Sequence, residues 1–135
     1  MKIYGSLKET EFENMIEEIG KGEVMAAGMY FTLAHIAKEQ GKEELAEKFA
    51  KIATDEARHG GMYFYLNGKM NEDIMSVLPN FVKEEENAYP KLLELSEKIR
   101  EAGHIEAADM VKKAALEEKG HQKLLEVIIK KEKTN

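Results

Sequence analysis

Apolar residues recur along the chain at alternating steps of three and four residues, in four separate runs. This spacing places the apolar side chains on one face of an α-helix and is typical of helices that pack in a bundle. The runs extend from about Thr10 to Gly41, from Lys42 to Asn67, from Val77 to Ala102 and from Ile105 to Lys130. We call the apolar stripe of each run its seam. The pattern predicts an all-α four-helix bundle, with residues 1–135 in a single domain.

Capping and turn residues mark the ends of these runs. Thr10 and Glu13 have the spacing of a capping box at the start of the first helix. Gly41 and Gly103 stand where the first and third helices should end. The linker Gly68–Ser76 is rich in turn residues. Each helix therefore has a defined start or end in the sequence.

Two features predict local irregularity near the middle of the bundle. Pro90 lies inside the third run and removes one backbone hydrogen bond, so a kink or bulge near Glu86 is expected. The first run contains three glycines, which indicate close packing or a local kink near Glu23: Gly20, Gly22 and Gly28.

The seams are apolar except at their centres, where ionisable residues stand: Glu23, Glu56, His59, Glu85, Glu118 and His121. In the second and fourth helices a Glu and a His are three residues apart, which puts both side chains on one helix face. The two halves of the chain also repeat, because residues 41–59 overlay residues 103–121 without a gap, and position 23 then overlays position 85. In antiparallel hairpins each pair of helices would bring its acidic residues to the same height.

Carboxylates that converge in an apolar interior would repel one another and lose hydration, at a cost of roughly several kcal/mol for each charge. Two divalent cations would balance four carboxylates, with the imidazoles as neutral ligands. Mixed carboxylate and imidazole ligands suit iron or manganese better than calcium or structural zinc. The sequence therefore predicts a dinuclear metal site in the bundle.

Some assignments stay open at this point. Glu84 replaces Glu85 as the ligand if a bulge at Pro90 rotates it inward, whereas Glu86 is expected to face solvent. Two acidic residues directly before ligand glutamates, Asp55 and Glu117, could accept the second N–H of a ligand histidine from the facing helix. Two tyrosines near the site could hydrogen-bond the ligand carboxylates or serve as ordinary core aromatics: Tyr30 and Tyr89.

The composition of the chain argues against several other classes of function. The net charge of −6 and the lack of a basic patch beyond the C-terminal lysines argue against nucleic-acid binding. The absence of cysteine excludes disulfides, thiolate metal sites and thiol catalysis in this chain. No signal peptide or membrane span is apparent, so a cytoplasmic protein without a membrane partner is expected.

Short motifs at these residues resemble those of the rubrerythrin branch of the ferritin-like superfamily. They are Gly22-Glu23 with Tyr30, Glu56-Ala57-Arg58-His59, Tyr89-Pro90 and Glu118-Lys119-Gly120-His121. The resemblance covers nearly the whole chain and implies two iron ions, each with one histidine. It further implies that Glu23 and Glu85 are terminal ligands and that Glu56 and Glu118 are bridging ligands.

The chain departs from that family in three ways. It has no cysteines for a rubredoxin domain, so a separate electron-donor protein is expected. Its third helix lacks a second ligand glutamate three residues from Glu84 or Glu85, and the six remaining ligands are closer to the set of bacterioferritin. The linker between the second and third helices is shorter than the family's crossover, although ten or so extended residues could still span about 33 Å in a parallel crossover. A homodimer that exchanges helix hairpins would relieve the strain on this linker.

Three functions follow as hypotheses. The first is a diiron enzyme of oxidative stress that reduces hydrogen peroxide or dioxygen, with manganese or a mixed metal pair also compatible with the ligands. The second is an iron-handling protein with ferroxidase activity. The third is a helical interaction module with a vestigial site.

Overall fold

A computed structural model describes residues 2–134, which form four α-helices and no β-strand. The helices are α1 (Glu13–Glu39), α2 (Glu43–Leu66), α3 (Ile74–Glu101) and α4 (Ile105–Thr134). The predicted all-α class is confirmed.

The helices pack in consecutive pairs, and the chain divides into two compact units. Up to Glu72 the chain contains α1 packed on α2, and from Asp73 onward it contains α3 packed on α4. Tight turns join the members of each pair, so each unit is an antiparallel helix hairpin. Four helices that pack in antiparallel pairs agree with the predicted four-helix bundle. The assignment of the whole chain to a single domain stays a prediction.

The two hairpin turns share one construction. Gly41 and Gly103 have φ angles of 74° and 95°, a left-handed conformation in which a Cβ would be strained. Lys42 donates its backbone N–H to Ala37 O at 2.8 Å, and His104 donates to Ile99 O at 3.2 Å. This is the Schellman pattern that ends a helix on a glycine. The internal repeat seen in the sequence is therefore a repeat of structure.

Small side chains, with Gln122 as the exception, line the contact between the paired helices. In α2 and α4 the buried positions recur every seven residues, at Ala46, Ala53 and Gly60 and at Ala108, Ala115 and Gln122. Small residues allow two helices to approach closely. Side chains of the predicted seams are more exposed, such as Ile19 and Ile52 at 38% each.

The start of α1 differs from the prediction. The helix begins at Glu13 with Phe12 in the capping position, and no side chain caps it. Glu13 accepts the backbone N–H of Glu9 at 2.9 Å instead of that of Thr10, so the capping box is wrong. Thr10 Oγ1 accepts from the N–H of Phe12 at 3.2 Å, which closes a turn before the helix.

The predicted bulge in α3 is also absent from the described residues, because α3 runs as uninterrupted α-helix past both of its prolines, Pro79 and Pro90. The helix begins at Ile74, three residues earlier than predicted, and α4 extends to Thr134 rather than Lys130. The lost backbone hydrogen bond at Pro90 is tolerated within a long, packed helix.

The segment before α1 is bonded to the end of α2. The backbone N–H groups of Gly5 and Leu7 donate to Tyr65 O and Leu66 O, each at 3.0 Å. Asn67, which is only 5% exposed, donates its side-chain amide to Glu13 O at 2.9 Å. These bonds fix the open end of the first hairpin, opposite the Gly41 turn.

Within residues 2–134, no helix combines the length and the apolar composition that a membrane span requires.

Candidate metal centre

The first hairpin brings together Glu23 of α1 with Glu56 and His59 of α2. One possible ligand atom from each of the three lies within 4.8 Å of the other two. His59 Nδ1 is 3.6 Å from Glu56 Oε1, as expected for residues three apart on a helix. The Glu56 side chain is 23% exposed and that of His59 is 48% exposed. We call these three residues the first triad.

The second hairpin repeats this arrangement with Glu85 of α3 and with Glu118 and His121 of α4, which we call the second triad. Its ligand atoms also lie within 4.8 Å of one another. His121 Nδ1 is 3.6 Å from Glu85 Oε1 and 3.8 Å from Glu118 Oε2. Each hairpin thus collects two carboxylates and one imidazole on its own.

Burial and mutual repulsion make the ionised form of each carboxyl pair energetically unfavourable in the metal-free protein. A hydrogen bond with Glu23, together with burial and the charge of that neighbour, raises the pKa of Glu56. A hydrogen bond with Glu118, burial and the charge of Glu118 likewise raise the pKa of Glu85. In both cases the nearby histidine acts in the opposite direction. Two carboxyl groups that favour a shared proton would also favour a cation in its place.

Unpaired oxygen atoms in the triads test whether a cation would fit. Oε2 of Glu23 and Oε2 of Glu85 are buried and have no hydrogen-bond donor among residues 2–134. A buried carboxylate oxygen without a partner is uncommon, because it loses hydration and gains nothing in return. Oxygen and imidazole ligands of this kind suit iron or manganese. The residues present therefore fit a divalent metal in each triad.

The neighbours of Glu85 lie outside the triad. Glu84, which the sequence left as an alternative ligand, is exposed, and so is Glu86. The uninterrupted helix at Pro90 explains this, since no bulge rotates Glu84 inward. The prediction that Glu86 faces solvent agrees with the structure.

Of the two acidic residues predicted to support the ligands, Asp55 has other contacts. Asp55 accepts hydrogen bonds from Lys51 at 2.6 Å and from Arg58, rather than from a histidine, and these bonds lower its pKa. Its predicted contact with a ligand histidine of a facing helix stays a prediction. Glu117 is exposed.

The two tyrosines near the triads make ring contacts. Tyr30 lies 6.4 Å from Phe49 between ring centroids, and Lys119 Nζ lies 5.2 Å from the ring centroid of Tyr89. These contacts agree with the alternative in which both are packing aromatics. A bond from either hydroxyl to a ligand stays a prediction.

One residue beside the first triad was missed by the sequence analysis. Gly60 is buried between α1 and α2 directly after His59. Its signal was present in the sequence, because Gly60 continues the seven-residue row of small residues begun by Ala46 and Ala53.

Comparison with known proteins identifies the family. The rubrerythrin family model matches residues 14–134, which include all four helices and both triads. The chain belongs to the rubrerythrin family. It is therefore a ferritin-like diiron-carboxylate protein by descent. A similar chain is the uncharacterized protein MJ0746 of Methanocaldococcus jannaschii, which is 29% identical over 125 residues, covering 93% of this chain and 89% of the relative.

Membership of the rubrerythrin family gives the triads a chemical context. Their composition of carboxylates and imidazole is suited to a diiron-carboxylate protein, and both triads lie within the matched residues. The rubrerythrin fold thus accounts for acidic residues at the centres of otherwise apolar seams.

Proposed function

We propose that this rubrerythrin-family protein is an oxidoreductase that reduces hydrogen peroxide or dioxygen at a pair of iron ions. The observation that carries the proposal is the duplicated triad, with two carboxylates and one imidazole within 4.8 Å in each hairpin. Six ligands of this kind, together with the family membership, support the binding of two iron ions per chain. Manganese or a mixed pair would satisfy the same ligands.

Each triad residue has a defined task in this proposal. Four carboxylates neutralise the charge of two divalent ions, and two neutral imidazoles complete the ligands. The helix hairpins hold these groups in place before the metal arrives, which reduces the reorganisation needed on binding. Bound iron would supply the two electrons that convert hydrogen peroxide and two protons to water. A separate electron-donor protein would then return the iron to the reduced state.

The test compares two oxidants. Purified protein is loaded anaerobically with ferrous iron and mixed with either hydrogen peroxide or dioxygen in a stopped-flow instrument. We expect peroxide to oxidise the iron faster. The combined variant Glu56→Gln/Glu118→Gln, which lacks one carboxylate of each triad, should lose the fast phase. Oxidation at the same rate in this variant would reject the triads as the reactive site.

A second candidate function is ferroxidase-dependent iron handling, which the six-ligand set favours because it is closer to that of bacterioferritin. The two functions differ in the preferred oxidant and in assembly. Faster oxidation by dioxygen than by peroxide would support the ferroxidase.

We also propose that the protein is a homodimer, with exchanged helix hairpins as one form of it. Apolar seam residues that remain 38% exposed, such as Ile19 and Ile52, support a further packing partner. Light scattering coupled to gel filtration should give the mass of two chains. The mass of a large shell would favour storage and contradict the dimer.

A further inference from the structure

The backbones of α1 and α2 come into close contact at two glycines beside the first triad. A Cβ built on Gly60 would lie 2.7 Å from Val24 Cγ2 and 3.3 Å from the carbonyl oxygen of Gly20. A Cβ on Gly20 would lie 2.7 Å from Cε1 of Phe64. Both glycines are buried, and neither position has room for even a methyl group unless a neighbour moves.

This contact lies among the ligands. Val24 directly follows Glu23 on α1, and Gly60 directly follows His59 on α2. Because the first triad takes ligands from both helices, the separation of α1 and α2 sets the distance between its carboxylates. Metal–ligand distances in protein sites fall within about 0.2 Å of their standard values. A methyl group 2.7 Å from Val24 Cγ2 would have to move apart from it by more than this margin of about 0.2 Å, since ordinary carbon–carbon contacts are about 3.5–4.0 Å.

The second hairpin has a different construction at the same place. In the internal repeat, Gly20 corresponds to Val82 and Gly60 corresponds to Gln122. Gln122 is 9% exposed, and its amide donates to Glu126 at 3.0 Å. A long side chain therefore occupies the position where the first hairpin has only a hydrogen atom. The two triads have the same residue types, but the matching position beside them is a glycine in the first hairpin and a glutamine in the second.

We propose that Gly60 is a positioning residue for the metal ion of the first triad, and that the second triad has no counterpart. Gly60 acts by allowing α1 and α2 to approach until Glu23 meets Glu56 and His59. The inference rests on the proposed metal-binding function. It adds that one ion depends on a glycine contact and that the other does not.

Ferrous iron binding to the full chain, titrated anaerobically, tests this in two backgrounds. In His121→Ala the second triad is disabled, so the retained ion reports the first triad. Adding Gly60→Ala should lower the affinity for that ion about tenfold or more, a loss typical of changes next to metal ligands. In His59→Ala the retained ion reports the second triad, and adding Gly60→Ala should leave its affinity unchanged.

Two further variants separate positioning from general packing. Gly61→Ala is the matched control, because a Cβ at the next residue of α2 meets nothing within 4 Å. It should leave both affinities unchanged. Val24→Ala removes the Cγ2 atom that the new methyl group would meet but leaves the 3.3 Å approach to Gly20 O. The double variant Val24→Ala/Gly60→Ala should therefore bind the first ion about threefold more tightly than Gly60→Ala, and still less tightly than Val24→Ala. A merely structural role for Gly60 predicts a lower melting temperature with unchanged affinity of the folded protein.

The outcomes are distinct. Each of three results would overturn the inference: unchanged iron affinity in Gly60→Ala, an equal loss of affinity in both backgrounds, or no recovery of affinity when Val24→Ala is added. If Gly60→Ala does not fold, Val24→Ala is compared with Val24→Ala/Gly60→Ala. The 3.3 Å approach to Gly20 should still weaken the binding of the first ion several-fold in the double variant. Equal affinities in the two variants would overturn the inference. A wild-type protein that binds no iron would instead reject the proposed function itself.

Discussion

His121 on α4 places its Nδ1 atom 3.6 Å from Oε1 of Glu85 on α3. This relationship crosses the hairpin, unlike the contact of His121 with Glu118, which lies on the same helix. The turn at Gly103 sets the register that brings the two helices' ligands to one height. The second triad is thus a product of hairpin geometry as well as of helical spacing.

Glu85→Gln should weaken the binding of one metal ion about tenfold or more, because a neutral amide replaces an anionic ligand while the shape is kept. The matched control is Glu84→Gln, which changes the adjacent, exposed residue by the same chemistry. Isothermal titration calorimetry measures the metal affinity of both variants. Equal affinities in the two variants would remove Glu85 from the site.

Glu56→Gln should raise the melting temperature of the metal-free protein by a few degrees. The reason is that Glu56 and Glu23 are forced together without a cation, as the raised pKa of Glu56 indicates. A neutral amide would keep a hydrogen bond and remove the repulsion. Thermal melts in a chelating buffer at neutral pH measure the change.

The same substitution should lower metal affinity, so stability and function would move in opposite directions. Glu47→Gln on the exposed surface of α2 is the control and should change neither property. A lower melting temperature in metal-free Glu56→Gln would show that the carboxylate stabilises the fold by itself.

Asn67→Ala should lower the free energy of unfolding by about 1–2 kcal/mol, because it removes a buried amide that donates to Glu13 O. Urea denaturation of the metal-free protein measures this change. Asn87→Ala, at an exposed position within α3, is the control and should change stability little. Since Asn67 is remote from the triads, metal affinity should stay at the wild-type value. A loss of affinity would mean that the anchored segment also shapes the site.

The sequence predicts much of this architecture because two periodicities coincide in it. The three-and-four spacing of apolar residues identifies four helices, and the repeat centred on Gly41 and Gly103 sets their register. The seam and the repeat both select Glu85 over Glu84, and only a bulge at Pro90 would have placed Glu84 inward. Charged residues at the centre of an apolar stripe are costly, so their grouping could be predicted without coordinates.

Other features depend on contacts that periodicity does not contain. The pairing of Asp55 with Lys51 and Arg58 is a local choice among several partners on one helix face. The start of α1 depends on a turn around Glu9, whose positive φ of 62° is rare for a residue with a side chain. The close approach at Gly60 requires knowing which faces of α1 and α2 meet. These features follow from packing between segments rather than from the pattern within one.

The most direct test of the central claim is the number of iron ions that the protein binds. Wild-type protein is loaded with ferrous iron under anaerobic conditions, freed of excess metal by desalting, and analysed for iron and protein by mass spectrometry and amino-acid analysis. Two triads predict about two iron ions per chain, falling to about one in His59→Ala and in His121→Ala. A wild-type chain that retains one ion or none would contradict the assignment of one ion to each triad.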